Sequence, residues 1–131
     1  MVHWFDLLVN AQAIKSIYKD EAPSLRGVDV HSLLLHRDGP KLSIKFNLND
    51  YPSKPPKKWD VQGFNTVQVV LSLLDLRSVS ISGWIDTVYV TDLDIGFKDD
   101  LVTLSIDSDR LKLTAEASFF DLESISAYAK G

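Results

Sequence analysis

The sequence predicts an α+β fold dominated by β-structure: an N-terminal helix packed on an antiparallel sheet or sandwich of about seven to eight strands. Three observations carry this. Short segments of alternating apolar and polar residues recur from Val28 to the end of the chain, separated by turn signals such as Asp38-Gly39 and Ser108-Asp109-Arg110. Helical spacing is clear only before Val28. No linker-like segment divides the chain, so residues 1–131 are expected to form a single domain.

Trp4, Leu7, Leu8, Ala11, Ile14, Ile17 and Tyr18 share one helical stripe. Asn10 interrupts it and is a good N-cap residue, so the spacing predicts either one helix or a helical turn followed by a helix over residues 11–18. Lys19 suits the negative end of the helix dipole, and Asp20, Glu21 and Pro23 stop it. The stripe is expected to cover one face of the sheet.

Residues 28–37 and 41–48 read as a hairpin turned by Asp38-Gly39. Its second arm alternates Leu42, Ile44, Phe46 and Leu48 with Lys41, Ser43, Lys45 and Asn47. The first arm slips phase from Val28 and Val30 to Leu33 and Leu35, which predicts a β-bulge near Ser32. His31 and His36 are five apart and are expected on opposite faces, where they would share no metal. The dense apolar run over residues 66–76 reads as a central strand covered on both faces. Further strands are expected over 77–85, over 87–97 (whole or split near Asp92), over 101–107 and over 111–119. Residues 122–128 carry Ile125 and Tyr128 at helical spacing and equally fit an edge strand.

Composition narrows the function. There is no cysteine, which excludes a disulfide framework, a thiol nucleophile and a thiolate zinc site, and which fits the cytosol. The start lacks the pattern of a signal peptide, and no apolar run approaches the roughly 20 residues that span a membrane, so a cytoplasmic protein without membrane association is expected. With a formal net charge of -4, a nucleic-acid footprint is missing, whereas encounter with a basic protein is favoured. Lys54, Lys57, Lys58 and Trp59 form the one basic-aromatic patch.

Neither a nucleophile elbow nor a phosphate-binding loop occurs, and His3, His31 and His36 suggest no triad. No enzyme activity, metal or cofactor is expected. Carboxylates gather late in the chain, at Asp92, Asp94, Asp99, Asp100, Asp107 and Asp109. Asp92 and Asp94, two apart on a strand, share a face. These acids read first as the wet face and turns of a sheet, and second as a docking face for a basic partner. Asp92, Asp94, Asp99, Asp100 and the aromatic Trp84 are the candidate partner-binding residues. A rival reading is a carbohydrate or small-ligand module using Trp59 or Trp84 as a stacking platform; another is an enzyme built on the paired aspartates.

The most individual stretch is residues 51–65, Tyr-Pro-Ser-Lys-Pro-Pro-Lys-Lys-Trp-Asp-Val-Gln-Gly-Phe-Asn. Its pattern of Pro52, Pro55, Pro56, Lys58, Trp59, Gly63 and Asn65 resembles the bacterial immunity protein 50 family of polymorphic-toxin immunity proteins. Trp4, Asn10, Ile14, Ile17-Tyr18, Pro23-Ser24-Leu25, Arg37-Asp38-Gly39, Gly83-Trp84 and Ile125-Ser126-Ala127-Tyr128 add to the likeness, which spans nearly the whole chain. The resemblance implies a small cytoplasmic protein made beside a toxin, which binds the toxin domain and blocks it without catalysis of its own. It carries over no catalytic or contact residues. Many such toxins cut nucleic acids and have basic clefts, so a nuclease-type toxin is an expected partner. Physically, the 51–65 stretch reads as a rigid connector: Pro55-Pro56 extends the backbone, Trp59 anchors it by burial, and Gly63 turns the chain into the strand that follows.

Overall fold

The computed structural model describes residues 4–19 and 21–131; His3 and Asp20 lie outside them. One antiparallel sheet contains β1 (Val28–His36), β2 (Lys41–Asn47), β3 (Thr66–Gly83), β4 (Val90–Thr91), β5 (Asp94–Lys98), β6 (Leu101–Asp107) and β7 (Leu111–Tyr128), in the order β4-β1-β2-β3-β7-β6-β5. A 3-10 turn (Trp4–Leu7) and helix α1 (Gln12–Tyr18) come first, the second of the two arrangements the spacing allowed. Asn10 Oδ1 accepts the Gln12 N–H at 3.0 Å. Leu8, Ile14 and Tyr18 of the helical stripe are buried in the core shared with the sheet, as is Phe5, which the stripe left out. The polar tips at its margin are satisfied by backbone: the Trp4 indole donates to the Pro23 carbonyl at 2.9 Å, and the Tyr18 hydroxyl to that of Asp50 at 2.8 Å.

β1 and β2 form the expected hairpin, and the register slips between Val30 and Ser32, leaving His31 as the unpaired residue of a bulge. The central strand is longer than the sequence reading: residues 66–76 and 77–83 form one strand, β3, of 18 residues. It pairs along its whole length with the 18-residue β7, from Thr66 opposite Tyr128 to Gly83 opposite Leu111. β2 reaches only the first part of β3, up to Leu74, and β6 reaches only the first part of β7, up to Ala117. The β3–β7 ribbon therefore belongs to two half-sheets.

Between the halves the ribbon turns. Asp75 has a positive φ of 55°, and its carboxylate accepts the Ser118 hydroxyl at 2.6 Å and an Arg77 N–H at 2.8 Å. A second irregularity follows between Leu76 and Ser78. On β7 the buried positions are Leu111, Leu113, Ala115 and Ala117, then the phase changes to Phe120. Opposite faces of the ribbon thus turn inward at its two ends, as the strong twist of a two-stranded segment allows.

The sheet cannot be flat. Seven strands side by side would put the outer two about 29 Å apart, at the usual spacing of about 4.8 Å. Here the edge strands β4 and β5 are joined by Asp92 and Leu93 alone, and three Cα steps reach at most about 11 Å. The edges are drawn together and held: Leu93 is fully buried and donates its N–H to the Leu25 carbonyl at 2.9 Å. The Gly27 N–H bonds Asp92 Oδ1 at 3.0 Å, and the Arg26 guanidinium reaches both Asp92 and Asp94.

Sequence expectations for three stretches are corrected or resolved. The run over 66–76 is not covered on both faces. Val67, Val69, Leu71 and Leu73 are fully buried, but Gln68, Val70 and Leu74 on the other face are only half-buried. Of the two readings left open for residues 122–128, strand holds: they are continuous with β7. Pro56 is extended (ψ 142°), but a one-turn helix α2 (Lys57–Val61) follows it. Gly63, at φ 69°, closes that turn: its N–H goes back to the Asp60 carbonyl and the Phe64 N–H to that of Trp59, the paired bonds of a Schellman motif. Pro52 is buried, and Trp59 is half-buried, tilted against Tyr51 at 6.3 Å, so it anchors less surface than expected. Lys58 is exposed. Asn65 clips the chain end: its side chain donates to the Lys130 carbonyl at 2.9 Å and accepts the Lys130 N–H at 2.8 Å.

Gly63 and Gly83 both have positive φ, but a Cβ at Gly63 meets open space whereas one at Gly83 overlaps the Arg110 carbonyl. Gly63→Ala is expected to cost about 1 kcal/mol, the left-handed penalty alone. Gly83→Ala should cost about 3 kcal/mol or more, lowering Tm by roughly 10 °C. Thermal melts of the two variants side by side check both the size and the order.

Candidate functional site

Two surfaces stand out. The first is the strap that runs from the end of β3 across to β4 and on to β5. Trp84, Ile85, Val88 and Val90 are 41%, 80%, 60% and 62% exposed, an unusual concentration of apolar surface within one short connection. The strap is nonetheless well fixed. Trp84 lies flat on Tyr89, with ring centroids 4.6 Å apart and an interplanar angle of 9°. The Tyr89 hydroxyl accepts the Asp86 N–H at 2.6 Å, Asp86 Oδ1 accepts the Thr87 N–H at 2.8 Å, and Arg110 pairs with the Asp86 carboxylate. The ends are tied by the Trp84 N–H to the Arg110 carbonyl at 3.1 Å and the Val30 N–H to the Tyr89 carbonyl at 2.9 Å. A preorganised segment loses little conformational freedom when a partner covers it. Beside the stack lies a depression of about 190 Å³, lined by Trp84, Asp86, Thr87, Val88 and Tyr89 with Asp29, Val30 and His31 of β1.

The second surface is the open face of the first half-sheet, which the sequence reading missed. The β7 register shifts opposite Val70 and Leu71, between Ser124 and Leu122, and leaves Glu123 as the extra residue. Such a bulge re-aims its side chain. Glu123 Oε1 accepts from the Ser72 hydroxyl at 2.7 Å, the Ser43 hydroxyl at 3.1 Å and the Lys41 ammonium at 3.2 Å. The Ser72 hydroxyl above all holds this carboxyl below the usual glutamate range; burial opposes it, and the bonds from Lys41 and Ser43 add to the lowering. Ser43 and Ser72 are buried beneath it. Further along the same face Gln68 donates to Asn47, and Asn47 to the Tyr128 hydroxyl. A depression of about 380 Å³ opens over Ser32, Leu34, Lys45, Val70, Glu123 and Ser124 with Ser43 and Gln68.

The acidic candidates separate. Asp92 and Asp94 do lie together, but both face Arg26, and Asp92 also caps the Gly27 N–H, so their charges serve the closure of the sheet. Asp99 and Asp100 lie at the far end of β5, about 17 Å along the strand from Asp94 at roughly 3.3 Å per residue. They form the two-residue turn into β6 with φ of 52° and 64°, the backbone of a type I′ hairpin turn. Both are exposed, and neither forms an ion pair among the described residues. Of the five, Trp84 sits on the apolar part of the strap and Asp92 at its far end. His31, at the bulge, pairs with Asp29 at 3.4 Å. Among the described residues no three His, Cys, Asp or Glu side chains converge to hold a metal ion, and no helix is long and apolar enough to cross a membrane.

One rolled sheet, a fixed aromatic strap and an open polar face define a small β-protein whose distinctive chemistry lies on its surfaces. The chain belongs to the Immunity protein 50 family, whose model matches residues 10–128, and the family implies a toxin as partner. No curated protein and no solved structure matches it.

Folding linkage follows for Glu123. A carboxyl with a lowered folded-state pKa adds stability above its unfolded value, near 4.3, and loses that contribution as pH falls through the folded value. Melting temperatures of the native chain and of Glu123→Gln should therefore differ most at neutral pH and converge as pH drops from about 5 through the acid range. A difference that stays constant with pH would show that the contribution does not come from the ionised form.

Proposed function

We propose that this chain is an immunity protein that binds a cognate bacterial toxin domain and neutralises it by occlusion, without chemistry of its own. Membership of the Immunity protein 50 family carries this reading. The proposed contact is the strap, with Trp84, Ile85 and Val88 as anchors, because large apolar side chains held rigidly at low entropic cost are what strong interface centres are made of. The carboxylates near it, Asp86, Asp92 and Asp94, already carry arginine partners, so the strap offers apolar surface more than negative field. Net charge and Asp99 and Asp100, unpaired among the described residues, supply the long-range attraction, which suits a basic, nuclease-type toxin acting in the cytoplasm where this chain would guard it.

The carbohydrate-binding reading finds one supporting observation, the Trp84 depression flanked by Asp29 and Asp86. Its volume of about 190 Å³ falls below the roughly 300–1,000 Å³ of small-molecule sites. One face of the Trp84 ring is already covered by Tyr89, and Trp59 is half-buried.

The test is co-expression with the toxin domain encoded beside this gene, followed by binding measurements on the purified pair. The native chain should rescue growth. Trp84→Ala and Ile85→Asp should each weaken binding by about 2 kcal/mol or more, chiefly through faster dissociation, with melting temperatures within a few degrees of the native chain. Full affinity in both variants would remove the strap from the interface. Replacing Asp99-Asp100 by Asn-Gly keeps the I′ turn and removes two charges. Association should then slow a few-fold at low salt and match the native chain above about 0.5 M salt.

A further inference from the structure

Sheet edges are where chains pair, and folded proteins shield them with charge, bulges or cover. β4 spans only Val90–Thr91. β5 carries Asp94 and Lys98 at its ends and runs into Asp99-Asp100. Beyond Val30 the outer edge of β1 is broken by the bulge at His31. The outer side of β7 after Ala117 gives its Phe120 carbonyl to the Val9 N–H and bears Asp121 and Glu123. Among the described residues one edge lacks such a device beyond its first residue, Arg77. β2 ends opposite Leu74, so residues 77–83 of β3 are paired on the β7 side alone, and all seven are exposed.

The direction of the free backbone groups can be worked out. The Trp84 N–H bonds the Arg110 carbonyl, and the register runs unbroken from Ser78 opposite Glu116 to Gly83 opposite Leu111. Hydrogen-bonded pairs alternate in an antiparallel ladder, so Ser82, Ser80 and Ser78 direct their N–H and C=O groups at β7. Val79, Ile81 and Gly83 direct theirs outward, where no strand meets them. The sequence here is Ser78-Val79-Ser80-Ile81-Ser82, which reads alike in both directions by residue type.

We propose that two copies of this chain pair edge to edge through residues 77–83, antiparallel about a two-fold axis at Ser80. This register places Val79 opposite Ile81 of the second copy, in the pairs whose outward backbone groups bond reciprocally. Ser78 falls opposite Ser82, and Ser80 faces its own copy in the close, non-bonded pair. Val79 and Ile81, 37% and 38% exposed, then cover one another. No like charges meet: the one charged residue, Arg77, is held by Asp75 and falls opposite Gly83. The net charge of -4 on each copy opposes association, so the dimer is weak at low salt and strengthens as salt screens the repulsion.

The experiment is sedimentation of the full chain from about 10 to about 500 µM, since a contact of one strand lies below the area of standard stable interfaces. The native chain should shift from monomer to dimer across this range. Ser80→Lys and Ser80→Asp each set like charges face to face and should weaken the dimer at least about tenfold. An equimolar mixture of the two variants should dimerise again, which a misfolded variant would not do. A native chain that stays monomeric throughout, or Ser80→Lys dimerising as tightly as the native chain, overturns the proposal. So does a monomeric native chain whose toxin binding is abolished by Ser80→Lys, because the edge would then receive a strand from the toxin.

Discussion

The connection Asp92-Leu93 constrains this structure more than any other feature. It joins the two edge strands of a seven-stranded sheet, and two residues cannot span a flat one. Rolling follows, and so does the burial of Leu93 against Leu25. The long β3–β7 ribbon follows too, because both half-sheets must hang from strands that pass through the turn between them. The same constraint exposes the strap. A chain that crosses outside a rolled sheet in a few residues can turn inward only some of its side chains; Tyr89 and Leu93 are buried, and Ile85, Val88 and Val90 are left outside. Closure of the fold and display of apolar surface are thus two consequences of one short crossing.

Much of the fold was legible because period-two alternation survives wherever a strand is regular, as in β2 and β6. The helical look of residues 122–128 has a local cause. A bulge inserts one residue, and an apolar spacing of two becomes three. Leu122 and Ile125 straddle Glu123 in this way, which extends backward the helical spacing of Ile125 and Tyr128, a pair whose own register is regular. The same logic, applied correctly, located the β1 bulge, because Val30 and Leu33 were flanked by long, clear alternation on both sides. The apolar second face of residues 66–76 misled for a different reason. Val70 and Leu74 lie on the open face among Ser43, Lys45 and Gln68, and nothing local distinguishes a half-covered valine from a buried one.

The candidate site was less legible, since sequence shows charges without their partners. Asp92 and Asp94 looked like free acids for docking until Arg26, 68 positions before Asp94, came to lie against them. Asp86 and Arg110, 24 apart, are likewise invisible as a pair. Glu123 had no signal except the broken phase between Ala117 and Ile125, which only a known β3 register converts into a bulge. Trp84 was visible because an aromatic after Gly83 interrupts a serine-rich strand, and no pairing was needed to notice it.

The residues that carry the family resemblance sit at joints of the fold. Gly63 caps α2, Asn65 clips the chain end at Lys130, and Pro52 is buried. Changing any of them alters backbone geometry, so their identity is tied to the architecture. Ile85 and Val88 contact the rest of the chain so little that replacement costs the fold almost nothing. An exposed strap, tied at Trp84 and Tyr89, can take new side chains at the positions between its ties without unfolding the scaffold. Trp84, part of the family pattern, is one of the ties and not one of the free positions.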